Sequence, residues 1–455
     1  MKQYQSNGCF VPQLPEGWEL KPIRSVASYR ISTVDKLSLD DEFPVRLCNY
    51  TDVYNNPSVQ PSMDLMQATA TQDEIARFRL VEGDVVITKD SEGWDDIAIP
   101  TLVTESAPDF VCGYHLAIIR PDPKRVLGEY LLRSIQADGI KQQFQLAASS
   151  GVTRYGIPKA AIGKAHIPVP PPDEQRSICS FLTQRLGRID QLIEKKQLLI
   201  DLLGEKRTAA IHHTVTKGAS PNGPLKDVGL KWAGHIPADW NVKRIKWVAR
   251  MESGHTPDKK VAEYWRNCDI PWVSLRDTDQ LRVTDYISDT TSKVNALGIE
   301  NSSARILPAG AVVFSRDATI GLCAITARPM AVSQHFIAWL CGDEILPEYL
   351  LFALRAMTSE LERVSAGATI ATIGMPEVRA LRTPIPPLHE QLKITGFIKQ
   401  RVLAIGNTTR KIEEQISRLR QRSSFYRESS DRDAQRAAFR SRDSKMCSIK
   451  LTRRL

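Results

Sequence analysis

No stretch of the 455-residue sequence approaches the roughly 18 consecutive apolar residues of a membrane-spanning helix. The opening, MKQYQSNGCFVPQLPEGW, also lacks the apolar core of a secretory leader, so the reading is a cytoplasmic protein with no membrane partner. The eight cysteines (Cys9, Cys48, Cys112, Cys179, Cys268, Cys323, Cys341 and Cys447) stand singly, and none belongs to a Cys-x-x-Cys pair. Neither a zinc site nor a disulfide framework is signalled, and no metal ligand is assigned. Catalytic signatures are missing too: there is no Gly-x-x-x-x-Gly-Lys-Ser/Thr phosphate loop, no His-Glu-x-x-His helix and no Asn/Asp-Pro-Pro-aromatic motif. Pro121-Asp122-Pro123-Lys124 and Pro257-Asp258-Lys259-Lys260 hint at a nuclease pattern but lack its second acid, and both are read as loops. His212-His213 falls at a helix end, where cations complement the dipole. No catalytic residue is assigned, which favours a binding protein.

What is present begins with charge. The 61 Lys and Arg exceed the 52 Asp and Glu, giving a net charge of +9 and a pI near 9.1, a balance suited to a polyanionic partner. The composition, 42% hydrophobic and 25% charged, is that of an ordinary globular protein, and the length favours two or three domains.

The chain repeats itself. IPVPPPDEQ (Ile167 to Gln175) recurs as TPIPPLHEQ (Thr383 to Gln391), with Pro168, Pro170, Pro171, Glu174 and Gln175 matching Pro384, Pro386, Pro387, Glu390 and Gln391. Upstream, Glu129-Tyr130-Leu131-Leu132 matches Glu348-Tyr349-Leu350-Leu351, and Pro15 and Trp18 match Pro237 and Trp240. The offset drifts slowly, as loop insertions would make it, so the protein reads as two copies of one unit. Each copy opens with a globular part of mixed pattern, α+β or α/β. It holds strand-like runs after Gly83-Asp84 and Gly310-Ala311, and a helix near Gly128 or Pro347.

A proline-rich segment then leads into a long helix, expected from about Asp173 to His213 and from about His389 to Tyr426. Ile178, Leu182, Leu186, Ile189, Ile200 and Leu203 form a heptad-like seam in the first helix. Ile394, Ile398, Val402, Ile405, Ile416 and Leu419 form its twin in the second. The spacing is narrower than a globular core face, and the two helices are expected to pair. From Ser423 the second copy departs from the first, ending in an Arg-, Ser- and Asp-rich basic tail that is expected to be disordered.

The Pro-Pro-x-x-Glu-Gln segment with its heptad helix, present twice, resembles the specificity subunit of type I restriction-modification systems. LKDVGLKWAGHIPADWNV (Leu225 to Val242) is similar to that family's linker into its second recognition domain. Gly254-His255-Thr256-Pro257, Tyr264-Trp265 and Ile270-Pro271-Trp272-Val273 resemble the opening of such a domain, and Leu14-Pro15-Glu16-Gly17-Trp18 gives the same signal in the first. The resemblance covers residues from about 14 to 422 and is specific in the repeated motifs only.

The resemblance implies an α+β fold: two tandemly repeated globular target-recognition domains separated by two long antiparallel coiled-coil helices. The expected division is 1–160 and 223–376 for the recognition domains, 161–222 and 377–426 for the proline-rich segments with their helices, and 427–455 for the tail. It implies a bipartite double-stranded DNA site read by the two domains, with the helix pair as a ruler between them. It also implies partners: two modification (methyltransferase) subunits and ATP-dependent restriction subunits, which carry the S-adenosylmethionine, ATP and Mg while this chain binds no cofactor.

Candidate DNA contacts are polar or basic side chains in loops: Lys89, Ser150, Thr153, Arg154 and Tyr155 in the first domain, and Thr256, Lys259, Lys260, Arg276, Arg316 and Thr369 in the second. Trp265 and Trp272 are read as core residues, and Tyr114-His115 and Gln334-His335 as fold-maintaining. Two other classes fit less well. A single-chain nuclease would turn over alone with a divalent metal, and a coiled-coil scaffold would bind DNA without sequence preference.

Overall fold

The computed structural model describes residues 5–6, 9–10, 14–151, 154–220, 223–365 and 372–428. It is α+β. Contact density divides the chain into two units: unit 1 runs to Lys195 and resumes at Gln415, and unit 2 is Lys196–Glu414.

Unit 1 includes the strands β1 (Ala27–Ile31), β2 (Phe43–Cys48), β3 (Ser58–Val59), β4 (Met66–Ala70), β5 (Val85–Thr88), β6 (Pro100–Val103), β7 (Phe110–Cys112) and β8 (Leu116–Pro121). Five form a sheet in the order β1-β8-β5-β6-β3, antiparallel except for the β6–β3 pair. Three form a second sheet, β7-β2-β4, in which β7 and β2 run parallel with Cys112 opposite Cys48. The central sheet is buried on both faces. Val85 and Ile87 join one core with Ala117 and Ile119, while Val86 joins the other with Leu116 and Ile118. That is the period-two alternation of a strand with apolar side chains on each side.

Unit 2 has β9 (Ala249–Ser253), β10 (Ile270–Val273), β11 (Tyr286–Ile287), β12 (Lys293–Val294), β13 (Val312–Ser315), β14 (Cys323–Thr326), β15 (Ala331–Val332) and β16 (Phe336–Cys341). Its five-stranded sheet has the order β9-β16-β13-β14-β11, again with one parallel pair at the β11 edge. Its three-stranded sheet, β12-β10-β15, again pairs two strands in parallel, with Val332 opposite Val273. Val312 and Phe314 face one core and Val313 the other.

Helix α1 (Gly128–Gln136) covers the first sheet, α2 is Pro172–Lys217, α3 (Pro347–Ala356) covers the second sheet, and α4 is Leu388–Glu428. Both long helices exceed the sequence expectation. α2 stops only at Gly218, whose φ of +87° suits glycine, and α4 runs on through the divergent residues because Ser423 and Tyr426 are buried. The tail beyond Glu428 lies outside the described residues.

The repeated motif residues tie each long helix to its own unit. Trp18 Nε1 donates to Glu174 Oε2 at 2.9 Å, and Trp240 Nε1 donates to Glu390 Oε2 at 2.9 Å. Gln175 accepts from Leu127 N and donates to the Arg125 and Pro170 carbonyls; Gln391 accepts from Leu346 N and donates to those of Glu344 and Pro386. Both glutamines are fully buried, and each pairs both amide donors and its oxygen with backbone groups on two segments. Tyr130 and Tyr349 donate to the carbonyls of Pro168 and Pro384 at 2.9 and 3.0 Å.

The heptad seam is visible as alternating exposure. Ile178, Leu182, Leu186 and Ile189 are buried, and Ile200 and Leu203 are half-buried. In α4, Ile394, Ile398 and Ile416 are buried, and Val402, Ile405 and Leu419 are half-buried. Within unit 1, Ile178 to Ile189 share a core with Leu419 and Tyr426; within unit 2, Ile211 and Val215 share one with Ile394, Ile398 and Val402.

Candidate nucleic-acid interface

Each unit has a cleft where three strand ends meet: the end of the strand carrying the parallel pair, the end of the central strand, and the start of its neighbour. In unit 1 these are β2, β5 and β8. After β2, Asn49 begins a short helix, Tyr50–Asn55, through a reciprocal capping box in which Asn49 N donates to Asp52 Oδ2 at 2.7 Å. Past β5, Asp90 Oδ2 receives the Lys89 ammonium at 2.5 Å and lies 2.9 Å from His115 Nδ1, just ahead of β8. Arg154 lies 3.1 Å from His115 Nε2. Asp90, His115 and Arg154 surround a cavity of about 420 Å³, lined also by Lys36, Tyr50, Thr51, Tyr54 and Glu92. Tyr50 stacks on Tyr54 with ring centroids 5.6 Å apart, and Tyr54 donates to Asp96 at 3.0 Å. Burial pushes the Tyr50 phenol above its ordinary value, and the bond to Asp96 does the same for Tyr54.

Unit 2 repeats the plan with β10, β13 and β16. After β10, Ser274 N donates to Asp277 Oδ2 at 2.8 Å, closing a second reciprocal capping box over Leu275–Asp277. Past β13, Asp317 Oδ2 lies 2.9 Å from His335 Nδ1, and Arg316 N donates to the His335 carbonyl at 3.0 Å, as Lys89 N does to that of His115. The cavity, about 380 Å³, is lined by Thr256, Lys259, Arg276, Gln334 and His335 and walled by Trp265 and Trp272, whose rings meet edge-on at 5.3 Å. Trp272 donates to the His255 carbonyl at 3.2 Å and Thr256 to Gln334 Oε1. A Cβ on Gly254 would run into the Ser333 carbonyl, so glycine permits this close approach.

The candidates from sequence divide accordingly. Arg154, Thr256, Lys259 and Arg276 line the cavities, and Lys260 is exposed beside Lys259. Ser150 is exposed on a two-residue strand paired with Tyr155. Three fit less well as open contacts. The Lys89 ammonium is held by Asp90, Tyr155 is half-buried against the unit 1 core, and Arg316 is half-buried with Nε 3.7 Å from Asp317. Each sits on or beside a strand end, where neighbouring side chains claim it before solvent can. Thr153 and Thr369 lie outside the described residues. Trp272 is buried, as expected of a core residue, yet it and Trp265 also wall the cavity. Tyr114, His115, Gln334 and His335, read from sequence as fold-maintaining, face the cavities too. Sequence reasoning missed Lys36, Tyr50, Thr51, Tyr54 and Glu92. The signal for Tyr50 and Thr51 was Asn49-x-x-Asp52, the same capping pattern as Ser274-x-x-Asp277.

Comparison with known proteins follows the same lines. Residues 237–418 match the Type I restriction modification DNA specificity domain. The chain is similar to type I restriction enzyme specificity subunits. The MjaIX specificity subunit of Methanocaldococcus jannaschii is 33% identical over 167 residues, covering 36% of this chain; the chain spans 38% of that subunit's length. The MjaX specificity subunit of the same organism is 20% identical over 419 residues, 90% of this chain and 93% of that one. Among solved structures, the HsdS subunit from Thermoanaerobacter tengcongensis superposes with a TM-score of 0.57 at 17% identity, covering 90% of this chain and 96% of that chain. A chain from a structure of type I R-M system assembly superposes at 0.60 and 15% identity, covering 92% and 99%. At these identities the likeness is one of fold.

Proposed function

We propose that this chain is the DNA-recognition subunit of a type I restriction-modification complex, reading one half of a bipartite site with each unit. The observation that carries this reading is the pair of clefts. Two units of one plan present the same capped turn and the same Asp–His contact, but different side chains around them, as two readers of two different half-sites would. Reading is its whole part: methylation and cleavage belong to modification and restriction subunits, which supply S-adenosylmethionine, ATP and Mg chemistry. In this reading α2 and α4 pair antiparallel. The start of α2 shares a core with the end of α4 in unit 1, and the end of α2 shares one with the start of α4 in unit 2. Leu198, Leu199 and Leu202 of α2 stay exposed off the seam, an apolar face suited to a docked modification subunit.

The test is methylation mapping of cells with and without the gene, co-expressed with its modification partner. A split motif with a fixed gap, methylated only when the gene is present, is the expected result. Binding by the assembled complex without sequence preference, with steep salt dependence alone, would instead make the chain a scaffold.

A further inference from the structure

The two capped turns occupy the same place in their units. Gly113 N donates to the Cys48 carbonyl at 2.8 Å, and Ser333 N donates to the Val273 carbonyl at 2.8 Å, each closing the parallel pair just before its turn. From those fixed points Asn49 matches Ser274, Asp52 matches Asp277, and Thr51 matches Arg276. The backbone position and capping box of the turn are the same; the side chain it offers to the cavity is not.

The turn in unit 2 is rigidly held. Asp277 is buried, with Oδ2 accepting from Ser274 N and Oδ1 accepting from Thr291 N at 2.7 Å, while Ser274 Oγ accepts from Arg276 N at 3.4 Å. The Arg276 guanidinium, by contrast, is exposed and makes no hydrogen bond or ion pair among the described residues. Nearby in the cavity wall lies the Ser333 hydroxyl, buried and without a hydrogen-bond partner among the described residues. A fixed backbone with a free planar fork of donors is the arrangement that selects geometry rather than charge alone. Lys259, on an open loop, has the flexible ammonium that suits a phosphate instead.

We propose that the second position of the capped turn is the base-reading position of each unit. Arg276 reads a guanine through its O6 and N7 acceptors in one half-site. Thr51 offers only a hydroxyl to the other half-site at the equivalent place, and so imposes no guanine there. This deepens the DNA-recognition reading and rests on it.

The experiment uses the full chain assembled with its modification partner, comparing wild type with Arg276→Lys, Arg276→Thr and Thr51→Arg. Methylation motifs are mapped, and binding is measured by competition among duplexes carrying each base pair at the position in question. The expected result is a guanine in one half-site, for which both Arg276 variants lose preference by on the order of 10- to 100-fold, while the other half-site stays intact and reports that the complex is folded. Arg276→Lys is informative because it keeps the charge and loses the bidentate fork. Thr51→Arg is expected to add a guanine preference to the opposite half-site. Affinity falling equally for all four base pairs, or Arg276→Lys selecting guanine as wild type does, would make Arg276 a phosphate contact and overturn the assignment while leaving the recognition role in place. A wild-type complex with no split motif would overturn both.

Discussion

Trp240 donates its indole N–H to Glu390, a residue 150 positions later in the first turn of α4, and Trp18 makes the same bond to Glu174 across 156 positions. The glutamate therefore does more than complement the helix dipole. It fastens the long helix to the start of the globular part that precedes it, with a charged acceptor at 2.9 Å from a fully buried Trp240.

Removing that acceptor should be costly. Glu390→Ala leaves a buried donor unpaired and is expected to destabilise the protein by about 1–3 kcal/mol, whereas Glu390→Gln keeps an oxygen and should cost less. Urea unfolding of the two variants, followed by tryptophan fluorescence, measures the difference. Equal stability of Glu390→Ala and wild type would show the bond to be incidental.

The seam predicts a contrast along a single helix. Leu182 is 1% exposed and Leu198 is 59% exposed, although both are leucines of α2. Leu182→Ala is expected to cost about 2–5 kcal/mol through lost burial and the cavity left behind. Leu198→Ala should stay within about 0.5 kcal/mol in the isolated protein. Thermal unfolding of both variants distinguishes a seam from an evenly covered helix.

Acid sensitivity has one identifiable source in unit 1. Arg46 donates to both oxygens of Asp109, at 2.7 and 2.5 Å, and this bond holds the carboxyl below its ordinary value. A carboxyl lowered by folding adds stability above the usual carboxylate range and loses it as pH falls through the lowered value. Asp109→Asn should therefore be less stable than wild type near neutrality, with the gap narrowing below about pH 4. Denaturant midpoints taken from pH 6 to pH 3 would reveal this. The effect should be modest because the pair is partly exposed, and a gap that widens in acid would contradict it.

What could be read beforehand depended on distance along the chain. The seam of Ile178, Leu182, Leu186 and Ile189 was legible because helical spacing is local and the second copy keeps it. Glu174 and Gln175 were legible as repeated residues but not as clamps, since Trp18 and the Leu127 amide lie far off in sequence and meet them only in the fold. The match between Thr51 and Arg276 was hidden for another reason. The loops around the two turns differ in length and composition, so the sequence offset shifts there, and only the hydrogen bonds from Gly113 and Ser333 restore the alignment. Lys89 illustrates the opposite error. A lysine after a strand looks free in sequence, yet the adjacent Asp90 takes its charge.

Unit 1 is built from both ends of the chain, with Leu419 and Tyr426 of α4 packed into the core of the first 195 residues, while unit 2 is one continuous segment. During synthesis, then, the part made first cannot be finished first. The part of its core that Leu419 and Tyr426 supply is missing until the ribosome has delivered the whole of unit 2 and the last turns of α4. A nascent chain halted before Gln415 holds all of the second unit but an unfinished first one, and that interval is when the first unit's apolar core is most open to unwanted association.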